Sequence, residues 1–113
     1  MEERSKTRIC VIGAGIIGGA IAEALTPQYE VTATRRNCDK INGLAGKGIK
    51  VTSDNRAAAE EADLVIISVK PVQVVPVLKE IAEAVRGKTV VSFAAAISTD
   101  ILHMAAPEAH FVR

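Results

Sequence analysis

Apolar residues in this chain fall into two kinds of pattern, unbroken short runs and runs with helical spacing, and the two alternate from one end to the other. Ile9, Cys10, Val11 and Ile12 stand in a row, as do Leu64, Val65, Ile66 and Ile67, which lead into Ser68 and Val69. Short unbroken runs bounded by turn residues predict strands covered on both faces. The first strand is expected over Arg8–Ile12, the second over Glu30–Thr34, a short third over Ile49–Thr52, the fourth over Leu64–Val69 and the fifth over Thr89–Phe93. Between them the period changes. Ile17, Ala20, Ile21, Ala24 and Leu25 share one helical face, and Pro27 ends that helix. Val74, Val75, Val77, Leu78, Ile81 and Val85 form a wide apolar face on a helix expected over Val72–Val85. Proline fits only the first turn of a helix, so Pro76 predicts that regular geometry starts near Val75. Shorter helices are expected over Asp39–Ala45, Arg56–Glu61 (capped by Ser53 or Asp54) and Asp100–Ala105 (capped by Ser98 or Thr99). His110-Phe111-Val112-Arg113 reads as the start of a sixth strand, which suggests that a longer protein has been cut there.

Strand and helix alternating about five times predict a parallel sheet with right-handed crossovers. The expected fold class is α/β, a Rossmann-type doubly wound parallel sheet in a single domain over residues 8–113, behind a polar, frayed start at residues 1–7. In such sheets ligands lie beyond the carboxyl ends of the strands, where the strand order reverses. Four stretches distant in sequence therefore converge on one crevice: Gly13–Gly18, Thr34–Asn37, Val69–Pro71 and Phe93–Ala96.

The first of these stretches carries chemistry. Gly13, Gly15 and Gly18 have the G-x-G-x-x-G spacing between a strand and a helix. Gly13 permits the tight turn, Gly15 lets a pyrophosphate reach the backbone, and Gly18 lets the helix pack close to the strand. Free N–H groups and the helix dipole then face the phosphates. A bland strand-to-helix turn is the competing reading, and the strand before, the helix after and the second strand at the right distance favour nucleotide binding. At the end of that second strand an NAD-selecting enzyme carries Asp or Glu on the ribose hydroxyls. This chain has Thr34, Arg35 and Arg36 there. A hydroxyl and guanidinium groups can bind a 2′-phosphate that an acid would repel, so NADP is the expected coenzyme, with NAD still open. Two solvated loop arginines are the alternative.

Composition narrows the field. Of 113 residues, 49 % are hydrophobic and only 3 % aromatic, with no Trp, so the core is Val, Ile, Leu and Ala. A net charge of +1 with no basic stripe or aromatic platform argues against nucleic acid. Cys10 and Cys38 lie in no C-x-x-C pair and have no nearby His, so neither a metal site nor a disulfide is expected, and Cys10 reads as a small core residue. The charged N-terminus lacks a signal-peptide core, and no apolar run reaches membrane-spanning length, which fits a cytoplasmic protein. His103 and His110 have no catalytic partner in view.

Taken together the motifs resemble pyrroline-5-carboxylate reductase, which reduces a cyclic imine to proline with NAD(P)H. The matching stretches are Ile12–Gly15, Val51–Asn55, Ala62-Asp63, Ser68–Pro71, Val90–Ser98 and Val112-Arg113. The resemblance implies that Gly13, Ala14, Gly15, Ile16, Ile17 and Gly18 hold the pyrophosphate, and that Thr34, Arg35 and Arg36 hold the 2′-phosphate. It places Asn55 near the adenosine, and Val69, Lys70, Pro71, Ala94 and Ala95 along the ribose and nicotinamide. For Lys70 the implied role is backbone placement, not proton transfer. For Asn55 a helix-start residue bonding its own backbone is an equal alternative. Ala96 departs from the family, which usually has glycine there. The family also carries a helical second domain that forms a homo-oligomer and most of the imine pocket; this chain ends before it, and no catalytic acid or base is assigned. A deazaflavin-dependent NADP reductase or a hydroxyacid dehydrogenase of the 6-phosphogluconate type shares this first half. A stand-alone nucleotide-binding module is a further reading, and a methyltransferase is disfavoured by the missing acid after the second strand.

Overall fold

A computed structural model of the protein describes residues 7–26, 28–35, 43, 46, 48–92, 102 and 104–112. Six strands among them form one sheet: β1 (Arg8–Ile12), β2 (Glu30–Thr34), β3 (Lys50–Thr52), β4 (Leu64–Ile67), β5 (Thr89–Ser92) and β6 (His110–Val112). Every pairing is parallel and the order is β3-β2-β1-β4-β5-β6, so the strand order reverses between β1 and β4. The register aligns Thr52, Thr34, Ile12, Ile67 and Ser92 in a single row, the last residue of each of the five strands. That alignment brings the following loops to one level above the sheet.

Successive strand side chains face opposite ways, and two apolar clusters result. Ile9, Val11, Val31, Ala33 and Ile66 pack under α1 (Ile16–Leu25), where Ala22 is fully buried. On the other face Cys10, Ile12, Val65, Ile67 and Val90 pack under α2 (Asn55–Glu61) and α3 (Pro71–Ile81). Here α2 contributes only Ala58 and Ala59, followed by Ala62 just past its end, so its backbone lies close to the sheet, while α3 brings Val74, Leu78 and Ile81. Leu102, Ala105 and Ala106 complete that layer.

The helix boundaries differ from the sequence reading in one instructive place. α3 starts at Pro71, not near Val75, and Pro76 lies inside it. The carbonyl that Pro76 leaves without a helical partner belongs to Val72, which is 82 % exposed and free to meet water, while the buried Val74, Leu78 and Ile81 hold the helix to the sheet. The helix ends at Ile81, but Val85 still donates its N–H to the Ile81 carbonyl at 3.0 Å and its side chain is fully buried, and Gly87 turns the chain at φ +74°. Of the two candidate caps for α2, Asp54 serves: its Oδ1 accepts from the Ala57 N–H at 3.0 Å. β4 stops at Ile67, two residues short of the expected end. The short helix expected over Asp39–Ala45 lies outside the described residues except at Gly43, which is helical. The Asp100–Ala105 helix is described only at residues 102, 104 and 105, all helical.

Lys88, just before β5, ties the far end of α2 to the sheet. Its Nζ donates to the carbonyls of Ala59 and Glu60 in the last turn of the helix, both at 2.8 Å; the Ala59 carbonyl also accepts from the Ala62 N–H at 3.2 Å. Replacing it with Met keeps the stem and removes both bonds, and urea unfolding is expected to show a loss of about 1–2 kcal/mol. Below it Cys10 is the small core residue the sequence suggested, fully buried; burial pushes its thiol up from 9.0 to about 12, against the opposing pull of the Lys88 charge. The folded thiol keeps its proton where the unfolded one would lose it. Its contribution to stability is therefore complete below pH 9 and is lost as pH rises toward 12. Urea titrations across that window should show wild type falling more steeply than Cys10→Ala, by up to about 1.4 kcal/mol per pH unit. Iodoacetamide at pH 8 should leave Cys10 unmodified until denaturant is added.

Candidate functional site: the crevice above β1, β2 and β4

The chain leaves β1 at Gly13, whose φ of +86° only glycine adopts readily. A Cβ there would collide with Val69 Cγ1 and lie 3.0 Å from the Ser68 carbonyl oxygen. The loop is fastened to β2: the N–H groups of Gly13 and Ala14 both donate to the Thr34 carbonyl, at 3.0 and 2.8 Å, and the Gly15 N–H donates to the Gly13 carbonyl at 2.8 Å. Gly18 brings α1 down onto this turn, where a Cβ would stand 2.8 Å from the Gly13 carbonyl and 3.2 Å from Ser68 Oγ.

Gly15 is different. Its φ is −84°, and a Cβ built on it meets no described atom within 4 Å. Packing within the described residues does not call for glycine at 15. What glycine leaves there is open space against the helix start. α1 begins at the next residue with no side-chain cap and no acid in its first turn. Its intrahelical ladder opens with the Gly19 N–H on the Gly15 carbonyl at 2.8 Å, so the N–H groups of Ile16, Ile17 and Gly18 precede it. An uncapped helix start with an open glycine before it fits a phosphate group. The six residues expected to hold pyrophosphate thus divide: Gly13, Ala14 and Gly15 commit their N–H groups to building the loop, while those of Ile16, Ile17 and Gly18 lie in the first turn of α1, ahead of its ladder. The Ile17 side chain is 65 % exposed.

At the end of β2 the structure corrects one expectation. Thr34 is fully buried, and its hydroxyl donates to Asn55 Oδ1 at 2.5 Å instead of facing outward to a phosphate. Asn55 opens α2, and its Nδ2 donates to Glu80 Oε1 on α3 at 3.2 Å. The alternative in which Asn55 bonds its own backbone is set aside, because Asp54 performs the capping. Arg35 follows directly, half-buried, with its N–H on the Thr52 carbonyl at 3.2 Å. Arg36 lies outside the described residues.

On the other side of β1, the Ser68 N–H donates to the Ile12 carbonyl at 2.9 Å, and Val69 packs over the glycine turn. Lys70 is the extended residue preceding α3. Its N–H donates to Gln73 Oε1 at 3.3 Å and its carbonyl accepts from the Gln73 N–H at 2.8 Å, with Pro71 at the first helical position. The hydrogen bonds described for Lys70 are thus made by its backbone, and its side chain is exposed. Ala94, Ala95, Ala96 and His103 lie outside the described residues; Ser92, buried at the end of β5, is the last described residue before the three alanines.

The opposite end of the sheet holds different features. His110 opens β6 there with its N–H on the Lys88 carbonyl at 2.9 Å, remote from the crevice. A cavity of about 370 Å³ opens between α2 and the amino ends of β1, β2 and β3; at its rim Arg8 pairs with Asp63 at 3.8 Å and Lys50 with Glu61 at 3.6 Å. Among the described residues no group of three or more His, Cys, Asp or Glu is arranged for a metal ion, and no helix is long and apolar enough to cross a membrane.

The links through Glu80 and Lys88 were invisible in the sequence, since their partners lie 25 and about 28 positions away with no motif between them.

A doubly wound parallel sheet with an open glycine at an uncapped helix start defines a dinucleotide-binding domain of the Rossmann type. Residues 8–96 match the family described as NADP oxidoreductase, coenzyme F420-dependent, and the chain belongs to that family. It is 40 % identical over 102 residues to a pyrroline-5-carboxylate reductase of Corynebacterium melassecola, covering 81 % of this chain and 37 % of the relative. It is 38 % identical over 114 residues to the pyrroline-5-carboxylate reductase of Vibrio alginolyticus, covering 94 % and 42 %. The structure of a pyrroline-5-carboxylate reductase from Coxiella burnetii superposes with a TM-score of 0.85 at 27 % identity, over 94 % of this chain and 42 % of that one. The chain therefore spans about two fifths of the length of these proteins.

The division among the glycines has a direct consequence for stability. Gly13→Ala combines an unfavourable φ with a collision against Val69, and chemical denaturation should register a loss of about 2–5 kcal/mol. Gly15→Ala enters open space and should cost no more than about 1 kcal/mol.

Proposed function

We propose that this chain is the coenzyme-binding part of an NADPH-dependent pyrroline-5-carboxylate reductase. The observation that carries the reading is the open glycine at the uncapped start of α1: a Cβ at residue 15 would meet no described atom within 4 Å, and the three first-turn N–H groups of α1 follow it. In this reading the pyrophosphate lies over Gly15, bonded by the N–H groups of Ile16, Ile17 and Gly18. The adenosine ribose lies toward Asn55 and Arg35, with Arg36 beside them, and Thr34 acts from beneath by holding Asn55. Val69, Lys70 and Pro71 border the ribose and nicotinamide, together with Ala94 and Ala95. The bound coenzyme supplies the hydride. The residues of this chain orient it and hold its phosphates, and none is assigned as the proton donor. The family's description and the relatives named above support NADP as coenzyme and a small cyclic imine as substrate. A second, helical domain completing the imine pocket, a homo-oligomer and a cytoplasmic location belong to the same reading.

A second reading has its own support. The family's description names coenzyme F420, so a first domain of an F420-dependent NADP oxidoreductase shares the same coenzyme site with a different second reactant.

Titration of the chain with NADPH and with NADH, followed by nicotinamide fluorescence, tests the shared core of both. NADPH is expected to bind more tightly, and Arg35→Ala to weaken NADPH by about 10- to 100-fold while leaving NADH nearly unchanged. Gly15→Ala, folded by circular dichroism, should lose both. Equal binding of the two coenzymes by wild type, unchanged in Arg35→Ala, would overturn the assignment of Arg35. Turnover of pyrroline-5-carboxylate, and not of reduced F420, by a protein carrying this chain separates the two readings.

A further inference from the structure

Glu80 stands on α3, 25 positions after Asn55, yet its Oε1 accepts from Asn55 Nδ2 at 3.2 Å. Thr34 Oγ1 donates to the other end of the same amide. A carboxylate at neutral pH only accepts, so the amide nitrogen must face Glu80 and the amide oxygen must face Thr34. Reversing the amide would set its oxygen against the carboxylate, with no proton between them. Asn55 is thus held in one orientation from both sides, and its second Nδ2 proton has no partner among the described residues.

This arrangement alters the charge balance at the adenosine end. Enzymes that select NAD place an acid at the end of the second strand. Here that position is Thr34, buried and uncharged, and the acid arrives from another element, one side-chain amide away. We propose that Glu80 is a specificity-determining residue for the coenzyme: its negative charge, brought to the adenosine ribose through Asn55, opposes a 2′-phosphate and offsets part of the preference for NADPH that Arg35 creates. The inference rests on the nucleotide reading given above. Coenzyme preference in this chain is then a balance between a guanidinium on the loop after β2 and a carboxylate on α3.

Glu80→Gln is the informative change. Its amide oxygen still accepts from Asn55 Nδ2, so the bond remains while the charge goes. Glu80 is exposed, and melting temperature should barely move. Calorimetric titration of the chain with NADPH and NADH is expected to show the NADPH-to-NADH affinity ratio rising about three- to tenfold, chiefly through tighter NADPH, as befits like charges one amide apart in a screened surface setting. The gain should shrink in 0.5 M salt. A ratio that stays constant or falls in Glu80→Gln, with wild type binding NADPH normally, overturns the role of Glu80 and leaves the nucleotide reading intact. Failure of wild type to bind either coenzyme overturns both.

Discussion

The carbonyl oxygen of Thr34 accepts two N–H groups, from Gly13 and Ala14, and the geometry of the whole site depends on that junction. It joins the second strand to the loop that leaves the first, so the start of α1 is set relative to the end of β2 by the backbone alone. The same residue's hydroxyl donates to Asn55 and so sets the start of α2 as well. Both bonds work because Thr34 is fully buried. Away from water a donor or acceptor without a partner costs about 1–3 kcal/mol, which makes each of these pairings hard to exchange for another.

Around that junction the glycines divide their work between the protein and what it binds. Gly13 and Gly18 serve the protein: one turns the chain where Val69 leaves no room for a side chain, and the other lets α1 settle on the Gly13 carbonyl. At Gly15 a Cβ would meet no described atom within 4 Å. A loop with all its N–H groups spent on itself would be a turn and nothing more. This one spends those of Gly13, Ala14 and Gly15 on its own shape and leaves the first turn of α1 facing the crevice.

Charge is distributed with the same economy. The crevice has no cluster suited to a metal ion among the described residues, and the groups whose pKa values are shifted, the buried Cys10 thiol and the half-buried Lys88 amine, belong to the packing beneath α2 and not to the site. Among the described residues its polar groups include backbone N–H groups, the Asn55 amide, the exposed Glu80 carboxylate and Arg35 after β2. The chain spans about two fifths of the length of its reductase relatives.

The sequence by itself determined the strands, their parallel arrangement and the glycine turn after β1. Those features follow from local pattern: Ile9–Ile12 and Leu64–Ile67 can be buried on both faces only in a sheet covered by helices, and glycine at 13, 15 and 18 narrows what the connecting turn can be. Pattern also carried the family. Tertiary structure alone decided which end of Asn55 faces which neighbour, that Thr34 points inward to it, that Glu80 reaches it from α3, and that Lys88 closes α2. It decided too that Pro76 sits within a helix, because the packing of Val74, Leu78 and Ile81 outweighs one lost backbone bond on a solvent-facing turn. The physical reason is the same throughout. Periodicity reports which side of an element is buried, whereas hydrogen bonds between side chains depend on where separate elements come to rest, and nothing in the spacing of residues 34, 55 and 80 encodes that.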